Sequence, residues 1–442
     1  MTTTPSPYTW AGWKSLDRVV HQLIAARFLR SIAQGALGVD FTLYLKSRLW
    51  SAPEIGLLLM AGGLAGAALS LLVGVASDRI GRRGFLLVYE VGLVMGTLAI
   101  IIFPSAWVLV LTAALFGFGR GANGASGPFA PAEQAWLAQS IPPQRRGSVF
   151  SFNAGLQFWG MGLGSLLAAL LPHLLPGAVG AAAYVPLFVL NAMIAAINFW
   201  QIWGLREAPP GTVREKDPVF SGTSRDDAAI TLRENRALIW LAVVNMFNSL
   251  GVGLVAPLLP YWFNLKFGVG PGAIGPIFAL AFFLTGISSL IVGKMSERFG
   301  LIRSIVAPRL LGVALLMAIP FMPAFWLAAV LYVLRSIVNR GSMGARQAFS
   351  VSLVRDQRRG LASSVNAVSW SIPAAVGPAI GGWMIGLGSL VWPFLAASGL
   401  QLGYALLFPV IMGKYEVPGP QAGLGSQAGA GVWTDSAAKR SD

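Results

Sequence analysis

Apolar residues fall into blocks of about twenty, separated by short polar breaks. IGLLLMAGGLAGAALSLLV at 55–73 leads straight into GVASDRIGRR at 74–83, four of whose ten side chains are charged, and the next apolar block begins at once. Such blocks lie near 24–45, 55–74, 84–103, 106–130, 148–172, 180–204, 237–261, 272–293, 304–322, 325–346, 361–386 and 392–412. Each is long enough to cross a hydrocarbon layer of roughly 30 Å as a helix. The period-two alternation of a membrane barrel is absent. Backbone groups in lipid must bond within their own segment, so the pattern predicts an all-α membrane protein of twelve transmembrane helices.

Charge orients these spans. Arg79, Arg82, Arg83, Arg145, Arg146, Lys294, Arg298, Arg303, Arg355, Arg358 and Arg359 fall in one set of connections, while the opposite set holds Lys46, Arg48 and Lys266. Positive loops stay in the cytoplasm, and an even number of spans puts both termini there, in an inner or cytoplasmic membrane. GVASDRIGRR then reads as a cytoplasmic hairpin. The expected organisation is a cytoplasmic segment at 1–23, a six-helix bundle at 24–204, a cytoplasmic linker at 205–236 with room for a short helix near its end, a second bundle at 237–414 and a disordered tail at 415–442.

Composition narrows the function. The chain is 55% hydrophobic and 11% charged, with a formal net charge of +15. The positive residues cap apolar runs instead of covering one soluble face, which argues against nucleic acid as a partner. With no cysteine, and with His21 and His173 far apart, no metal or cofactor site is expected. The N-terminus lacks the short apolar core and cleavage site of a signal peptide. An enzyme is not expected either: GRGANG at 119–124 is glycine-rich, but it falls inside a span without the preceding strand of a dinucleotide site.

The halves repeat each other. Gly74, Asp78, Arg79 and Gly81 recur at one offset as Gly293, Glu297, Arg298 and Gly300; RGSVFSFNA from Arg146 recurs as RGLASSVNA from Arg359. A parallel repeat of six spans gives two similar bundles related by an axis along the membrane normal, able to rock about a central site. Gly74-x-x-x-Asp78-Arg79-x-Gly81-Arg82-Arg83 resembles the loop signature between helices two and three of the major facilitator superfamily, and Leu115-x-x-x-x-Arg120 with Asn123 and Gly124 is similar to that family's helix-four motif. The resemblance covers about 24–412 and implies the fold of that family, alternating access and a small-molecule substrate. It also implies that Asp78 makes a contact between halves that latches one conformation; the alternative is that Asp78 only balances Arg79 and Arg82. Asp78→Asn is expected to slow transport in proteoliposomes with membrane insertion intact, and unchanged kinetics would remove the latch.

A charge at the middle of a span costs about 2.5–3.5 kcal/mol on insertion scales. Asp40 in span one is the leading proton site, since a carboxylate whose burial changes between states takes up and releases protons; the alternative is a solvated mouth residue or a partner of Lys46. Arg120 resembles the helix-four arginine tied to proton exchange in antiporter members, the alternative being a structural arginine bonded to span-one carbonyls. It stands roughly 10 Å from Asp40 along the membrane normal. Glu90 is a third proton candidate, or a residue paired with a base near the cytoplasmic face. Arg30 and Gln34 share a face of span one. Glu133 and Arg346, each 13 residues before an Arg-Gly pair, read as cytoplasmic gate charges or ordinary interfacial residues. Arg309 lies a turn or so into span nine.

A substrate cavity is expected from Gln34, Asn153, Gln157 and Trp159, with Asn245, Asn248, Arg335, Asn366 and Trp370 from the second half. Amides and indoles at lipid depth seek a wet cavity or a partner, and direct helix–helix bonding is the alternative. Arg335 would suit an anionic substrate. Drug and metabolite antiporters of the family usually carry Gly-x-x-x-Gly-Pro-x-x-Gly-Gly in helix five; here span five has Gly160 and Gly164 without proline, and Gly377, Pro378, Gly381 and Gly382 put the element in span eleven. The expected function is proton-coupled export of a small organic solute by a monomer in membrane lipid. Proton-coupled uptake, an uncoupled facilitator, a lipid flippase and a non-transporting sensor are the alternatives.

Overall fold

The computed structural model describes residues 16–118, 127–207, 225–299, 301–341, 346, 349–350, 353–355 and 358–415. They are helical almost throughout. The first half contains α1 (Arg18–Ser47), α2 (Ala52–Ile80), α3 (Arg82–Ile102), α4 (Ala106–Phe116), α5 (Ala130–Gln139), α6 (Pro143–Leu170) and α7 (Val185–Trp203). The second contains α8 (Arg225–Val255), α9 (Leu259–Phe267), α10 (Pro271–Phe299), α11 (Leu301–Ala318), α12 (Phe325–Gly341), α13 (Arg359–Gly386) and α14 (Trp392–Met412). Seven of the described helices are apolar and long enough to cross a membrane by length and composition; α1, which carries Arg27, Arg30 and Asp40, is not among them.

Local chemistry sets the ends. Asp17 caps α1 by accepting the Val19 N–H at 3.1 Å, so the helix starts before the apolar block at 24. Glu54 accepts the Ser51 N–H at 2.7 Å and fixes the start of α2. Gly81 breaks between α2 and α3 at φ +112°, where a side chain would be strained. The block at 106–130 is not one helix: α4 stops at Phe116 with Gly117 left-handed at φ +77°, and helix is next seen from Ala130. In the seventh block Pro257 interrupts the ladder, and α9 carries the chain on to Phe267. The expected linker at 205–236 is already helical from Arg225.

Within the halves α1 packs on α6, α3 on α7, α8 on α13 and α14, and α10 on α12; α2 crosses α13 and α6 crosses α10 between them. Where helices cross, glycine replaces bulk. A Cβ on Gly164 would overlap the Ile32 carbonyl, and one on Gly382 the Ala52 carbonyl.

The apolar core is asymmetric from end to end. Around Lys46 a single cluster spans both halves, with Leu43, Tyr44, Ile55 and Leu59 beside Leu258, Trp262, Phe278 and Ile385. Lys46 itself bonds to the Asn264 carbonyl oxygen and stands 5.9 Å from the Tyr261 ring centre, tying α1 to α9. At the Asp78 end each half keeps its own cluster: Val20, Trp136, Ile141 and Ile202 in the first, Leu241, Ile305, Phe349 and Phe408 in the second. Among the described residues, the halves share a core at one end and keep separate clusters at the other.

Candidate functional site

Helix α1 brings Arg27, Arg30 and Gln34 onto one face by their three- and four-residue spacing. Arg30 bonds with one nitrogen to Glu90 on α3 and with another to Glu133 on α5. Arg27 lies 3.7 Å from Glu133 and donates to the Gln157 carbonyl oxygen on α6 at 3.0 Å. The Arg30 guanidinium also stands 5.4 Å from the Tyr89 ring centre. Arg27, Arg30, Glu90 and Glu133 are 4%, 5%, 0% and 3% exposed, so two cations and two anions neutralise one another out of water. A small cavity bounded by Arg30, Gln34, Tyr89 and Asn191 adjoins them.

This arrangement corrects one reading from sequence. Glu133 is no interfacial gate charge: the break at Gly117 and the restart at Ala130 put it in the first turn of α5, buried, where the helix N-terminus favours a carboxylate. Glu90 does pair with a base, Arg30, and both side chains are buried. Arg27 was missed, although its spacing to Arg30 and Gln34 was visible. Arg120 lies outside the described residues.

Asp40 is ten residues beyond Arg30, about 15 Å along the helix. It is fully buried and neither carboxylate oxygen has a hydrogen-bond partner. Lys46, its suggested partner, is engaged with Asn264. Asp40 and Glu90 therefore occupy separate sites.

The loop signature works within the first half. Asp78 accepts from Arg82 at 2.8 Å, and Glu207 accepts the backbone N–H groups of Arg82 and Arg83 at the start of α3. Arg83 donates to the Trp203 carbonyl at 2.6 Å, while Arg79 is exposed. Among the described residues, Asp78 shows the local pairing and not the contact between halves. Gly74 faces Pro131 at an ordinary 3.6 Å for an added Cβ, so no tight helix approach requires it here. In the second copy Gly293, Glu297 and Arg298 fall in α10, their side chains outside the described residues, as is Gly300 altogether. A clamp like that of Glu207 recurs as Glu234, which accepts from Arg355 at 3.1 Å and Arg358 at 2.6 Å.

The remaining cavity candidates divide. Asn245 donates to Asn366 at 2.9 Å and to Ser369 at 3.4 Å, joining α8 to α13 by direct helix–helix bonding. Asn248 is fully buried with its amide atoms unpartnered, and Asn153 is buried with a free carbonyl oxygen. Trp159 is half-exposed and meets Phe283 edge-on across the crossing of α6 and α10. Arg335 donates to Gln401 at 3.3 Å, and Trp370 carries the Arg346 guanidinium 5.0 Å from its ring centre.

Known proteins are similar to this chain in sequence or in fold. A multidrug resistance protein, MdtH of Escherichia coli O1:K1 / APEC, is 26% identical over 373 residues, which cover 81% of this chain and 85% of that one. A membrane protein of Saccharomyces cerevisiae is 24% identical over 331 residues, 68% of this chain and 72% of its own. Among solved structures, a D-xylose–proton symporter superposes with a TM-score of 0.68 at 13% identity, covering 91% of this chain and 98% of that one. A bacterial homologue of the lysosomal transporter Spinster, solved inward-facing and unoccupied, gives 0.65 at 15% identity over 90% and 98%. The sequence model of the Major Facilitator Superfamily matches residues 23–244 and again 241–435, once for each six-span half. The doubled match and the shared fold place the chain in the major facilitator superfamily of secondary transporters.

Proposed function

We propose that this transporter exports a small organic solute in exchange for protons by alternating access, with both termini and the Asp78 end in the cytoplasm. One observation carries this reading: among the described residues a single apolar core joins the halves around Lys46, while separate cores hold them around Asp78. With positive loops inside, that is an inward-open state with its outer end shut. Rocking about the α2–α13 and α6–α10 crossings would exchange the open and shut ends. The similarity to a multidrug resistance protein favours export over uptake.

Protons would be handled at two depths. Asp40 stands dry and unpartnered toward the shut end, and Glu90 keeps one oxygen free beside Arg30. A carboxylate that is dry in one state and wet in the other changes its affinity for a proton. Wetting of the shut end around Asp40 is what the outward-open state would bring.

The test is flux into and out of proteoliposomes, with and without an imposed pH gradient, across a panel of organic solutes. Gradient-driven movement of solute against the proton flow is expected. Asp40→Asn should abolish the response to the gradient while solute-for-solute exchange continues. Flux that ignores the gradient in the unaltered protein would make it a facilitator, and co-directional flux an uptake system.

A further inference from the structure

The two halves treat their buried arginines differently. In the first, Arg27 and Arg30 meet Glu90 and Glu133. In the second, Arg309 on α11, Arg335 and Arg340 on α12, and Arg346 just beyond it meet no carboxylate among the described residues. Composition alone nearly forbids one. From Ala237 to Tyr415 the acidic residues are Glu297 and Asp356, in the last turn of α10 and in the segment between α12 and α13.

What the four guanidinium groups do meet is neutral. Arg309 lies 5.6 Å from the Tyr404 ring centre, Arg340 4.9 Å from that of Phe282, and Arg346 5.0 Å from that of Trp370. Arg335 donates to the Gln401 amide oxygen at 3.3 Å. An aromatic face supports a guanidinium from above and leaves its in-plane donors free. Each arginine keeps such a donor without an acceptor: Nε of Arg309, Arg335 and Arg346, and Nη1 of Arg340. They are close enough to repel, Arg309 sensing both Arg346 and Arg335, and Arg335 sensing Arg340. Arg309 is buried, and the other three are partly exposed. Four like charges within electrostatic reach of one another, each with an unused planar donor, match one chemical class. Carboxylates and phosphates accept from guanidinium in two-point fashion and cancel its charge.

We propose that Arg309, Arg335, Arg340 and Arg346 form an anion-binding site in the second half, and that the transported solute is an organic anion bearing a carboxylate or phosphate. The assignment rests on the transporter reading above for its second clause only. The rings of Phe282, Trp370 and Tyr404 offer apolar contact to the body of such a solute.

The full chain in phosphatidylcholine nanodiscs, titrated with radiolabelled benzoate, tests the site. Benzamide and benzyltrimethylammonium serve as ring-matched neutral and cationic competitors, and phenylphosphonate and inorganic phosphate as anionic ones. Saturable benzoate binding is expected, displaced at least tenfold better by phenylphosphonate or phosphate than by benzamide. Arg309→Gln and Arg335→Gln should each weaken it at least tenfold, and Arg335→Lys less, because the charge survives without the planar fork. Absence of binding by all three anions, or equal competition by the neutral and cationic rings, overturns the site; this comparison uses the unaltered protein and does not depend on variants folding. Repeating the titration in an equal mixture of phosphatidylcholine and phosphatidylglycerol separates the sources. Loss of benzoate binding there assigns the site to a lipid headgroup and overturns the solute clause, while retention supports a soluble anion. Bound benzoate that never crosses proteoliposomes would defeat the transporter reading and keep the site. Flux of benzyltrimethylammonium without anion binding would do the reverse.

Discussion

Arg30→Met is expected to remove most of the folded protein from the membrane. Among the described residues Arg30 bonds α1 to both α3 and α5, and its loss leaves Glu90 and Glu133 in a dry interior with Arg27 as the cation beside Glu133. Breaking a buried pair by deleting one member costs about 3–5 kcal/mol, because the surviving charge has no water to return to. The arithmetic of charge gives the rescue. Arg27, Arg30, Glu90 and Glu133 sum to zero; Arg30→Met makes the group −1, and adding Glu90→Gln restores zero with Arg27 still beside Glu133. The double variant should therefore recover monodisperse protein in size-exclusion chromatography and most of the lost thermal stability in detergent, while coupled flux stays absent. A single Arg30→Met variant with unaltered yield and unfolding temperature would mean that water reaches the cluster.

Much of this molecule is legible in its sequence because lipid imposes length. Block boundaries, the repeat and the loop signature follow from residues close together in the chain, and so does the positive-φ turn at Gly81, which glycine accepts without strain. Partnerships across the chain do not. Glu133 reads as interfacial while 106–130 is taken for one continuous helix; only the stop at Gly117 shows that it turns inward. Arg27 is adjacent to Arg30 by helical spacing, yet nothing local says that α3 and α5 supply the acids. Glu207 and Glu234, at the two margins of the linker, look like ordinary soluble charges until each is seen clamping its own half. Arg335 alone looks like an isolated cost. Its neighbours Arg309, Arg340 and Arg346 lie on or beyond other turns and helices, and the shortage of acids over the whole half becomes informative only once they converge.

Gly382→Ala is expected to empty the conformation seen here. Gly382 on α13 stands against α2, where an added Cβ would overlap the Ala52 carbonyl and come within 3.2 Å of the Gly56 Cα; the reciprocal Cβ on Gly56 would overlap the Pro378 carbonyl. Both obstacles are backbone, so no rotamer change relieves them, and α2 must move off α13. Overpacking of this kind costs about 1–3 kcal/mol, which at about 1.4 kcal/mol per factor of ten lowers the population of the joined state by roughly five- to hundredfold. The shut end is the part that depends on that contact, and the chain has no cysteine of its own, so an introduced pair reads it without background. Cysteines at Lys46 and Asn264, side chains that touch across the halves, should be joined rapidly by a short bifunctional thiol reagent when residue 382 is glycine and much more slowly when it is alanine. Gly74→Ala in the same pair is the matched control: its Cβ meets only Pro131 at 3.6 Å, and the crosslinking rate should not change. Equal rates in all three proteins would show that α2 and α13 separate locally without opening the Lys46 end, and the rocking of two rigid halves would have to give way to movement of single helices.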